Sequence, residues 1–448
     1  MLKVCYFHSI IKGGKQGGWN EIFPAFLYNK KYAFLLYKKH LTKMYQSILF
    51  YDQSRGGTNM KDVVISDAVK YIGADDRDLD LFESQYIIPN GVSYNSYVIL
   101  DEKIAVMDTI DTRKTDEWKE NLERVLDGRT PDYLVVSHLE PDHAGSIKEF
   151  ADKYPEAKIV TSAKAIAMLP QFFEIADLAD RAIAVKEGEE LSLGSHTLQF
   201  FMAPMVHWPE VMVEYEKSEK ILFSADGFGK FGALDADEDW ACEARRYYFN
   251  IVGKYGAQVQ ALLKKAATLD IQTICPLHGP ILKEDLGYYI GKYMTWSSYE
   301  PEDDGVLVAY ASIHGNTKKA AEKMKEILEA KGAKKVAITD LSRDDMAEAI
   351  EDAFRYDKLV LAAASYDASV FPCMETFLNK LTNKNYQNRK IAIIENGSWA
   401  PTAARVMKSY VEKMKKITLC EKTVTIKSTM KDTDVTAMEE LADELLGK

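Results

Sequence analysis

The sequence predicts a mixed α/β and α+β protein with two folded domains: an αββα sandwich followed by a doubly wound parallel sheet of five strands. Two patterns lead to this prediction. Short apolar strands separated by helical stretches run from residue 60 to about residue 296, and a regular alternation of strand and helix follows from residue 306. Between them, residues 299–305 combine a proline, a glycine and four acids, which is typical of a linker. We therefore predict domains at residues 60–300 and 301–448.

Residues 1–59 differ in composition from the rest of the chain. They carry nine Lys and Arg against two acids, a balance of +7, although the 448-residue chain has a formal net charge of −11. The segment has many aromatics, no sustained period of helix or strand, and no compact signal-peptide core. Two interpretations stay open: a basic-aromatic extension that contacts a membrane or a partner, or a start codon assigned too far upstream, with Met60 as the true first residue. We favour the second.

Each element of the sandwich region is predicted from a local apolar pattern. Short apolar runs predict strands at residues 96–100, 104–108, 133–137, 158–161, 198–202, 211–215, 220–224 and 273–276. Helical periodicity predicts helices at residues 115–126, 144–154, 163–171 and 240–267. Strands in this number with helices between them indicate two packed sheets with helices outside.

The second region alternates more regularly. Its predicted strands are residues 306–311, 336–341, 358–364, 390–395 and 417–426. Its predicted helices are residues 317–330, 344–355, 373–382, 403–414 and 434–446. Five strands that alternate with helices imply a doubly wound parallel sheet.

Composition limits the classes of function. Hydrophobic residues make up 47% of the chain, and no apolar run reaches the roughly 18 residues of a membrane-spanning helix. The negative charge argues against non-specific nucleic-acid binding. The five cysteines are widely spaced and form no CxxC pair, so we expect no disulfide framework and no iron–sulfur site. This pattern favours a cytoplasmic protein.

A cluster of metal-binding side chains directly follows the predicted strand at 133–137. It places four such side chains within six residues, and three more candidates follow other predicted strands. Because all seven lie at strand ends, they can converge on one edge of the sandwich. The candidate ligands are His138, Glu140, Asp142, His143, His207, Asp226 and His278.

The ligand types narrow the choice of metal. Zinc sites favour histidine and cysteine, whereas four imidazoles with three carboxylates suit non-haem iron better. Seven ligands are too many for one ion and suit two metals that share a carboxylate bridge, for which Asp226 is the natural candidate. The alternative, a solvated polar loop with unrelated core histidines, leaves the clustering unexplained.

A second candidate site lies at the carboxyl ends of strands in the parallel sheet. The first of its loops precedes a helix, whose free N–H groups and dipole favour a phosphate. It is neither GxxxxGK[ST] nor GxGxxG, so a mononucleotide with one phosphate is expected, and the other two loops carry aromatics that could stack on a flavin. The predicted cofactor-binding residues are Ser312, Ile313, His314, Gly315, Asn316 and Thr317; Ser365, Tyr366, Asp367 and Ala368; and Asn396, Gly397, Ser398, Trp399 and Ala400.

From Met60 to its C-terminus the chain resembles the flavodiiron proteins, also called A-type flavoproteins. That family joins a metallo-β-lactamase-like domain to a flavodoxin-like domain in this order. Its H-x-E-x-D-H motif corresponds to residues 138–143, and its later ligands correspond to His207, Asp226 and His278. Hydrolases of the same fold carry histidine where this chain has Glu140, which is the most specific part of the resemblance.

The resemblance implies cofactors and a ligand assignment. FMN and two irons are expected, with one iron on His138, Glu140 and His207 and the other on Asp142, His143 and His278. Asp226 would bridge the irons. His143 does not bind metal in some members, and Trp208 would line the pocket near the flavin as a catalytic residue. His314 departs from the smaller hydroxyl residue common in flavodoxins.

The resemblance also implies an activity and partners. The protein is expected to reduce O2 to water, NO to N2O, or both, with electrons relayed through FMN. A rubredoxin-like protein or a reduced deazaflavin would supply the electrons. A head-to-tail homodimer, or a dimer of such dimers, would bring the flavin of one subunit to the irons of the other.

Two other hypotheses compete with a reductase. A sensor would use the same cofactors to report O2 or NO without turnover. A zinc hydrolase would use a metal-bound hydroxide, but Glu140 and the flavodoxin-like region argue against it.

Overall fold

The structure is a computed structural model that describes residues 63–448. The predictions for residues 1–59 lie outside this range. The described residues form two sheets that pack against each other, a third sheet and two short two-stranded ribbons. The predicted αββα sandwich and doubly wound sheet are therefore confirmed. Within the described range, no helix has the length and apolar character that crossing a membrane requires.

The strands of the sandwich region are mostly short. In chain order they are β1 (Val69–Tyr71), β2 (Ala74–Asp76), β3 (Leu81–Phe82), β4 (Tyr86–Ile87), β5 (Val92–Tyr94), β6 (Tyr97–Ile99), β7 (Ala105–Met107), β8 (Tyr133–Val135), β9 (Lys158–Ser162), β10 (Ala182–Val185), β11 (Glu190–Ser192), β12 (Thr197–Met202), β13 (Met212–Glu216), β14 (Ile221–Phe223) and β15 (Thr273–Cys275).

Two sheets of the sandwich face each other across an apolar core. One has the order β1-β6-β7-β8-β9-β10 and the other the order β11-β12-β13-β14-β15. Strands β7 to β10 are parallel, and β14 and β15 are parallel in the second sheet. Apolar side chains from both sheets, such as Val135 and Phe200, are buried together between them. The ends of the parallel strands leave their following loops at a common edge.

Helices cover the outer faces of the sandwich. They are Thr115–Leu126, Pro141–Ala144, Ile147–Lys153, Ala163–Met168, Leu178–Arg181, Trp240–Ile251, Gly256–Ala266 and Leu286–Ser297. The sequence patterns did not predict the helix Leu286–Ser297. They also did not predict the two- and three-residue strands of the ribbons, because such strands are too short to show an alternating pattern.

The prediction of a single helix over residues 240–267 is wrong. The chain forms two helices, because glycine weakens a helix interior and residues 253–255 form a tight turn between them. The hydroxyl of Tyr299 holds this break: it accepts a hydrogen bond from the Gly256 amide at 3.1 Å and donates one to the Gly253 carbonyl at 2.9 Å.

The helix predicted at residues 144–154 is also divided. A one-turn helix ends at Ala144, and the next helix begins at Ile147. At Gly145 an added Cβ would lie 2.6 Å from the Pro141 carbonyl oxygen and 2.9 Å from the Thr112 amide nitrogen. This close approach holds the one-turn helix, and the candidate ligands on it, against the neighbouring loop.

The third sheet is parallel and has helices on both faces. Its strands are β16 (Asp303–Ala311), β17 (Val336–Asp340), β18 (Tyr356–Tyr366), β20 (Lys390–Asn396) and β21 (Thr418–Ile426), with β19 (Ser369–Val370) paired to β18. The order β17-β16-β18-β20-β21 is that of a flavodoxin-like fold. The helices are Asn316–Ala330, Met346–Arg355, Pro372–Asn383, Ala403–Val411 and Asp432–Leu446.

Strand pairing and an ion pair order the predicted linker at residues 299–305. Residues 303–305 belong to β16, and Glu302 is held by Arg245, whose Nε lies 2.7 Å from its carboxylate. Glycine, proline and acidic residues indicate a loop only on average, and here the acids are ion-pair partners. The exact boundary between the two domains stays a prediction.

Candidate metal and flavin sites

The first candidate ligands lie where β8 ends and a one-turn helix begins. His138 follows the strand, and Glu140 precedes the helix Pro141–Ala144. The Glu140 carbonyl accepts hydrogen bonds from the amides of His143 and Ala144 at 2.9 and 2.8 Å. Proline suits the first helical position because it needs no amide hydrogen there. The turn therefore presents Asp142 and His143 close to His138.

Four candidate ligands form one group. The Nε2 atom of His207 lies 2.9 Å from Glu140 Oε2 and 3.2 Å from Asp226 Oδ2. The Nε2 atom of His138 lies 3.3 Å from the same Glu140 oxygen and 3.4 Å from the same Asp226 oxygen. All four residues can offer an atom to one ion.

The second group contains the remaining candidates. The Nε2 atoms of His143 and His278 lie 3.3 and 3.2 Å from Asp142 Oδ2. These three residues could hold a second ion. The same two nitrogens lie 3.1 and 3.9 Å from Asp226 Oδ1.

Asp226 therefore stands between the two groups. Its Oδ2 faces His138 and His207, and its Oδ1 faces His143 and His278. The carboxylate is buried, with 1% of its side chain exposed. One carboxylate that turns each oxygen toward a different set of ligands has the arrangement of a bridge between two metals.

The three predicted flavin loops lie at the carboxyl ends of β16, β18 and β20. Gly315 has a φ of +87° and precedes the helix Asn316–Ala330, so the loop bends sharply into the helix N-terminus. Its amide donates a hydrogen bond to Ser312 Oγ at 3.1 Å. Three apolar side chains around the loops are exposed: Ile313 by 40%, Tyr366 by 45% and Trp399 by 93%. Such surfaces suit an aromatic ring that would cover them.

Two details of these loops differ from the prediction. Residues 365–369 are not a simple loop: Ser365 and Tyr366 end β18, and positive φ angles at Asp367 and Ala368 form a two-residue hairpin turn to β19, as such turns require. Asn396 is the last residue of β20, and its amide group exchanges hydrogen bonds with the backbone of Ser428.

Two of the predicted flavin-binding residues, Ser365 and Ser398, also have hydrogen-bond partners within the chain. The hydroxyl of Ser365 accepts hydrogen bonds from the amides of Thr402 and Ala403 at 2.8 and 3.1 Å, so it caps the helix Ala403–Val411. Ser398 hydrogen-bonds Ser428. The segment around Ser428 thus joins the flavin loops, although no sequence motif pointed to it.

Each of the two folded regions is similar to a known protein family. Residues 92–279 match the family described as ODP family beta lactamase, and residues 307–426 match a flavodoxin domain. An uncharacterized protein of Methanocaldococcus jannaschii is 33% identical over 289 residues, which are 62% of this chain and 72% of that protein. The nitric oxide reductase of Moorella thermoacetica is 26% identical, with 86% of this chain and 98% of that protein covered.

A solved structure extends the likeness to both domains together. Rubredoxin oxygen:oxidoreductase from Desulfovibrio gigas has a TM-score of 0.79 and 25% identity, with 86% of this chain and 97% of that chain covered. The chain belongs to the flavodiiron proteins. FMN and a diiron centre are the cofactors of this flavin-dependent enzyme family, and the chain has a flavodoxin domain and two metal-binding groups for them.

The residues of this flavodiiron protein fit two metal ions. Buried atoms of the cluster lack a hydrogen-bond partner: both oxygens of Asp142, Oδ2 of Asp226 and Nε2 of His278. Leaving such atoms unsatisfied costs about 1–3 kcal/mol each. Ligand atoms about 2.1 Å from one ion lie roughly 3.0–3.4 Å from each other, and most contacts within the two groups are of this length. Metal ions would satisfy these atoms.

Outer hydrogen bonds fix the orientation of two imidazoles. His138 Nδ1 lies 2.9 Å from Glu210 Oε1, and His278 Nδ1 lies 2.7 Å from the Ser93 carbonyl oxygen. A donated Nδ1–H leaves the Nε2 lone pair for a metal. Glu210 also accepts a hydrogen bond from the Leu139 amide at 3.0 Å. The sequence analysis did not predict Glu210 or Ser93 as hydrogen-bond partners of the ligands. For Glu210 one signal was available in the sequence, because it lies two residues after Trp208.

Burial and the neighbouring charges shift the pKa values of the cluster members. Burial raises the pKa of Asp142 to about 7. Burial alone would lower the pKa of His207, but hydrogen bonds with Asp226 and Glu140 raise it to about 9. Burial lowers the pKa of His278, which keeps that imidazole neutral, as a metal ligand must be.

A cavity opens over the carboxylates of this cluster. It has a volume of about 280 Å³ and is lined by β3, by the turn that follows β3, and by Tyr94, Glu140 and Asp142. Phe82 and Tyr94 pack their rings beside His278, with ring centroids 5.5 and 6.1 Å away. Sequence patterns did not predict that β3 and the following turn form part of the wall.

Trp208 lies beside the first metal group. Its ring meets that of His138 edge-on with centroids 5.2 Å apart and stacks near Phe172 at 6.2 Å. It is half-buried. This contact limits the movement of His138, and the predicted catalytic role of Trp208 near the flavin stays a prediction.

Proposed function

We propose that this protein reduces a diatomic gas, O2 or NO, at a diiron centre with electrons relayed by FMN. The observation that carries the proposal is the position of Asp226, whose two oxygens face two separate histidine–carboxylate groups. The names of its relatives, a nitric oxide reductase and a rubredoxin oxygen:oxidoreductase, support the choice of gases. Cytoplasmic location is part of the same proposal.

The ligand assignment follows from the two groups. One iron would be held by His138, Glu140 and His207. The other would be held by Asp142, His143 and His278. Asp226 would bridge them. The 3.1 Å distance between His143 Nε2 and Asp226 Oδ1 supports His143 as a ligand in this chain.

The chain supplies oriented ligands, charge and a cavity beside the cluster. When bound, FMN and two ferrous ions together hold four electrons, the number that converts O2 to water, whereas two NO need two electrons to form N2O and water. Glu210 and the Ser93 carbonyl hold the imidazoles of His138 and His278 in place. The 280 Å³ cavity over Glu140 and Asp142 gives a small substrate access to the cluster.

The flavin-binding residues are proposed from their place at the carboxyl ends of the strands. Loop 312–317 would bind the phosphate through backbone amides at a helix N-terminus. Tyr366 and Trp399 would contact the flavin ring, which their exposure supports. The hydroxyl of Ser365 is occupied by a helix cap, so its contact with FMN would involve its backbone.

Assembly and electron supply are also part of the proposal. A head-to-tail homodimer, or a dimer of such dimers, would place the flavin loops of one subunit near the metal cluster of the other. A two-fold interface closes such an assembly. The electron donor would be a rubredoxin-like protein or a reduced deazaflavin.

The proposal is tested by anaerobic stopped-flow oxidation of the reduced, metal-analysed protein with O2 and, separately, with NO. We expect two irons per chain, rapid flavin reoxidation, and a faster reaction with the preferred gas. His207→Ala should abolish the rapid phase. His196→Ala, a histidine outside both metal groups, is the matched control and should keep it. Zinc in place of iron would favour a hydrolase. Iron with a flavin that stays reduced in both gases would favour a sensor.

A further inference from the structure

A second cavity lies between the helix Gly256–Ala266 and the sheet β12-β13-β14. Its volume is about 30 Å³, enough for one small molecule. Its wall is made of aliphatic and aromatic side chains, among them Phe201, Val213, Leu222, Val259 and Leu263. It is separate from the cavity over Glu140 and Asp142, because the two share no lining residue.

The polar groups in the wall already have partners. The hydroxyl of Ser224 donates to the Gly227 carbonyl, and Tyr293 accepts a hydrogen bond from the Phe228 amide, both at 2.6 Å. Lys265 Nζ lies 2.9 Å from both the Glu187 carboxylate and the Met202 carbonyl. A water molecule needs two to four polar partners to be stable in a buried site. The cavity therefore favours an apolar guest over water.

The wall of the cavity combines half-buried residues of one helix with chain neighbours of two candidate ligands. Its rim is half-exposed at Leu262, Ala266 and Leu269. Its inner wall includes Val206, which precedes His207, and Gly227, which follows Asp226. Two candidate ligands are therefore direct chain neighbours of residues in the cavity wall.

We propose that this cavity binds a small apolar gas molecule and holds it beside the chain segments that carry His207 and Asp226. The size of the cavity, its apolar wall and its satisfied polar groups define the ligand class: a diatomic or monatomic gas with weak hydration. Its use as a store of substrate rests on the proposed gas reduction, but gas binding itself does not.

The test uses xenon, which is apolar and is not reduced. Crystals of the iron- and FMN-loaded protein are pressurised with xenon under anaerobic conditions, and its anomalous signal is located. We expect a xenon atom within the cavity. Ala266→Leu, which adds bulk at the half-exposed rim, should remove this signal. Ala261→Leu is the matched control, because it makes the same change at an exposed position of the same helix and should retain it. Leu262→Phe is a second filling variant if Ala266→Leu does not fold.

Three outcomes would overturn the proposal: no xenon in the wild-type cavity, an ordered water in its place, or an unchanged xenon signal in both filling variants. Xenon occupancy does not depend on turnover. Gas reduction without xenon binding would thus refute only the proposed cavity site. Xenon binding without gas reduction would refute only the proposed function.

Discussion

At the scale of single residues, the metal cluster depends on one carboxylate that serves two groups of ligands. Asp226 is buried, and each of its oxygens lies near two imidazole nitrogens. Asp226→Asn keeps the size of the side chain but removes its charge. We expect iron to fall from two ions per chain to one or none, while FMN content is unchanged because its loops lie in the other domain. Metal analysis measures the iron content, and flavin absorbance measures the FMN content. Two irons retained in the variant would refute the bridging role of Asp226.

Glu210 offers a second test at this scale. Its carboxylate orients His138 and is 1% exposed. Partners of this kind typically contribute about 10–100-fold to metal affinity. We expect Glu210→Gln to weaken iron binding by about tenfold or more, measured by competition with a chelator. Glu156→Gln, at an exposed position, should leave affinity unchanged. Equal affinities in the two variants would rule out a positioning role for Glu210.

The sequence was sufficient to group the seven candidate ligands, because each follows an apolar strand and four of them share one short motif. It was not sufficient to find their outer partners. Glu210 lies 72 residues from His138, and Ser93 lies 185 residues from His278. Such pairs depend on how the strands are arranged in space, which a local pattern does not encode.

At the scale of elements, strongly periodic segments were predictable and short ones were not. The helix Thr115–Leu126 and the five main strands of the parallel sheet lie close to their predicted positions. The ribbon β3–β4, whose strand β3 lines the cavity over the cluster, has strands of two residues. Its conformation depends on packing against the cluster, because Phe82 contacts His278.

An edge of the sandwich is held by a charged cluster with a predictable pH dependence. His196 Nδ1 lies 2.8 Å from Asp101 and Nε2 lies 3.3 Å from Glu219. Burial alone would lower the pKa of His196, but these carboxylates raise it. Burial alone would raise the pKa of Asp101, but hydrogen bonds from His196 lower it. The cluster is therefore strongest when both groups are charged.

The pKa shifts of His196 and Asp101 predict how the free energy of unfolding depends on pH. The His196 contribution is fully present below its unfolded pKa of about 6.5 and is lost as pH rises through the raised folded pKa. The Asp101 contribution is present above its unfolded pKa of about 3.9 and is lost as pH falls through the lowered folded pKa. We expect His196→Gln to reduce the free energy of unfolding most near pH 4–6.5, by about 1 kcal/mol. Urea unfolding across pH tests this; a difference that is largest at alkaline pH would contradict it.

At the scale of the whole molecule, a buried ion-pair network joins the sandwich to the parallel sheet. Arg245, on the helix Trp240–Ile251, binds Glu302 and also Glu351, which lies on the helix Met346–Arg355. Glu351 is 2% exposed, and burial raises its pKa to about 8, so at neutral pH Glu302 is the charged partner of Arg245 and Glu351 is mainly a hydrogen-bond partner. The linker prediction missed this network because acidic residues alone do not reveal their distant partners.

Loss of Arg245 would leave a buried acid without its partner. We expect Arg245→Ala to lower the free energy of unfolding by about 3–5 kcal/mol. The matched control is Arg343→Ala, which removes an exposed arginine and should change stability by less than about 0.5 kcal/mol. Urea unfolding of both variants measures the difference. Equal, small effects would show that the network does not stabilise the two domains together.

The magnetic state of the metals in the purified protein tests the bridged diiron centre most directly. We predict that EPR and Mössbauer spectra of the iron-loaded protein will show a spin-coupled pair of irons. In Asp226→Asn the coupling should be lost, while His196→Gln should retain it. A single uncoupled iron, a zinc ion, or a coupled pair that persists without the Asp226 carboxylate would contradict a diiron centre bridged by this residue.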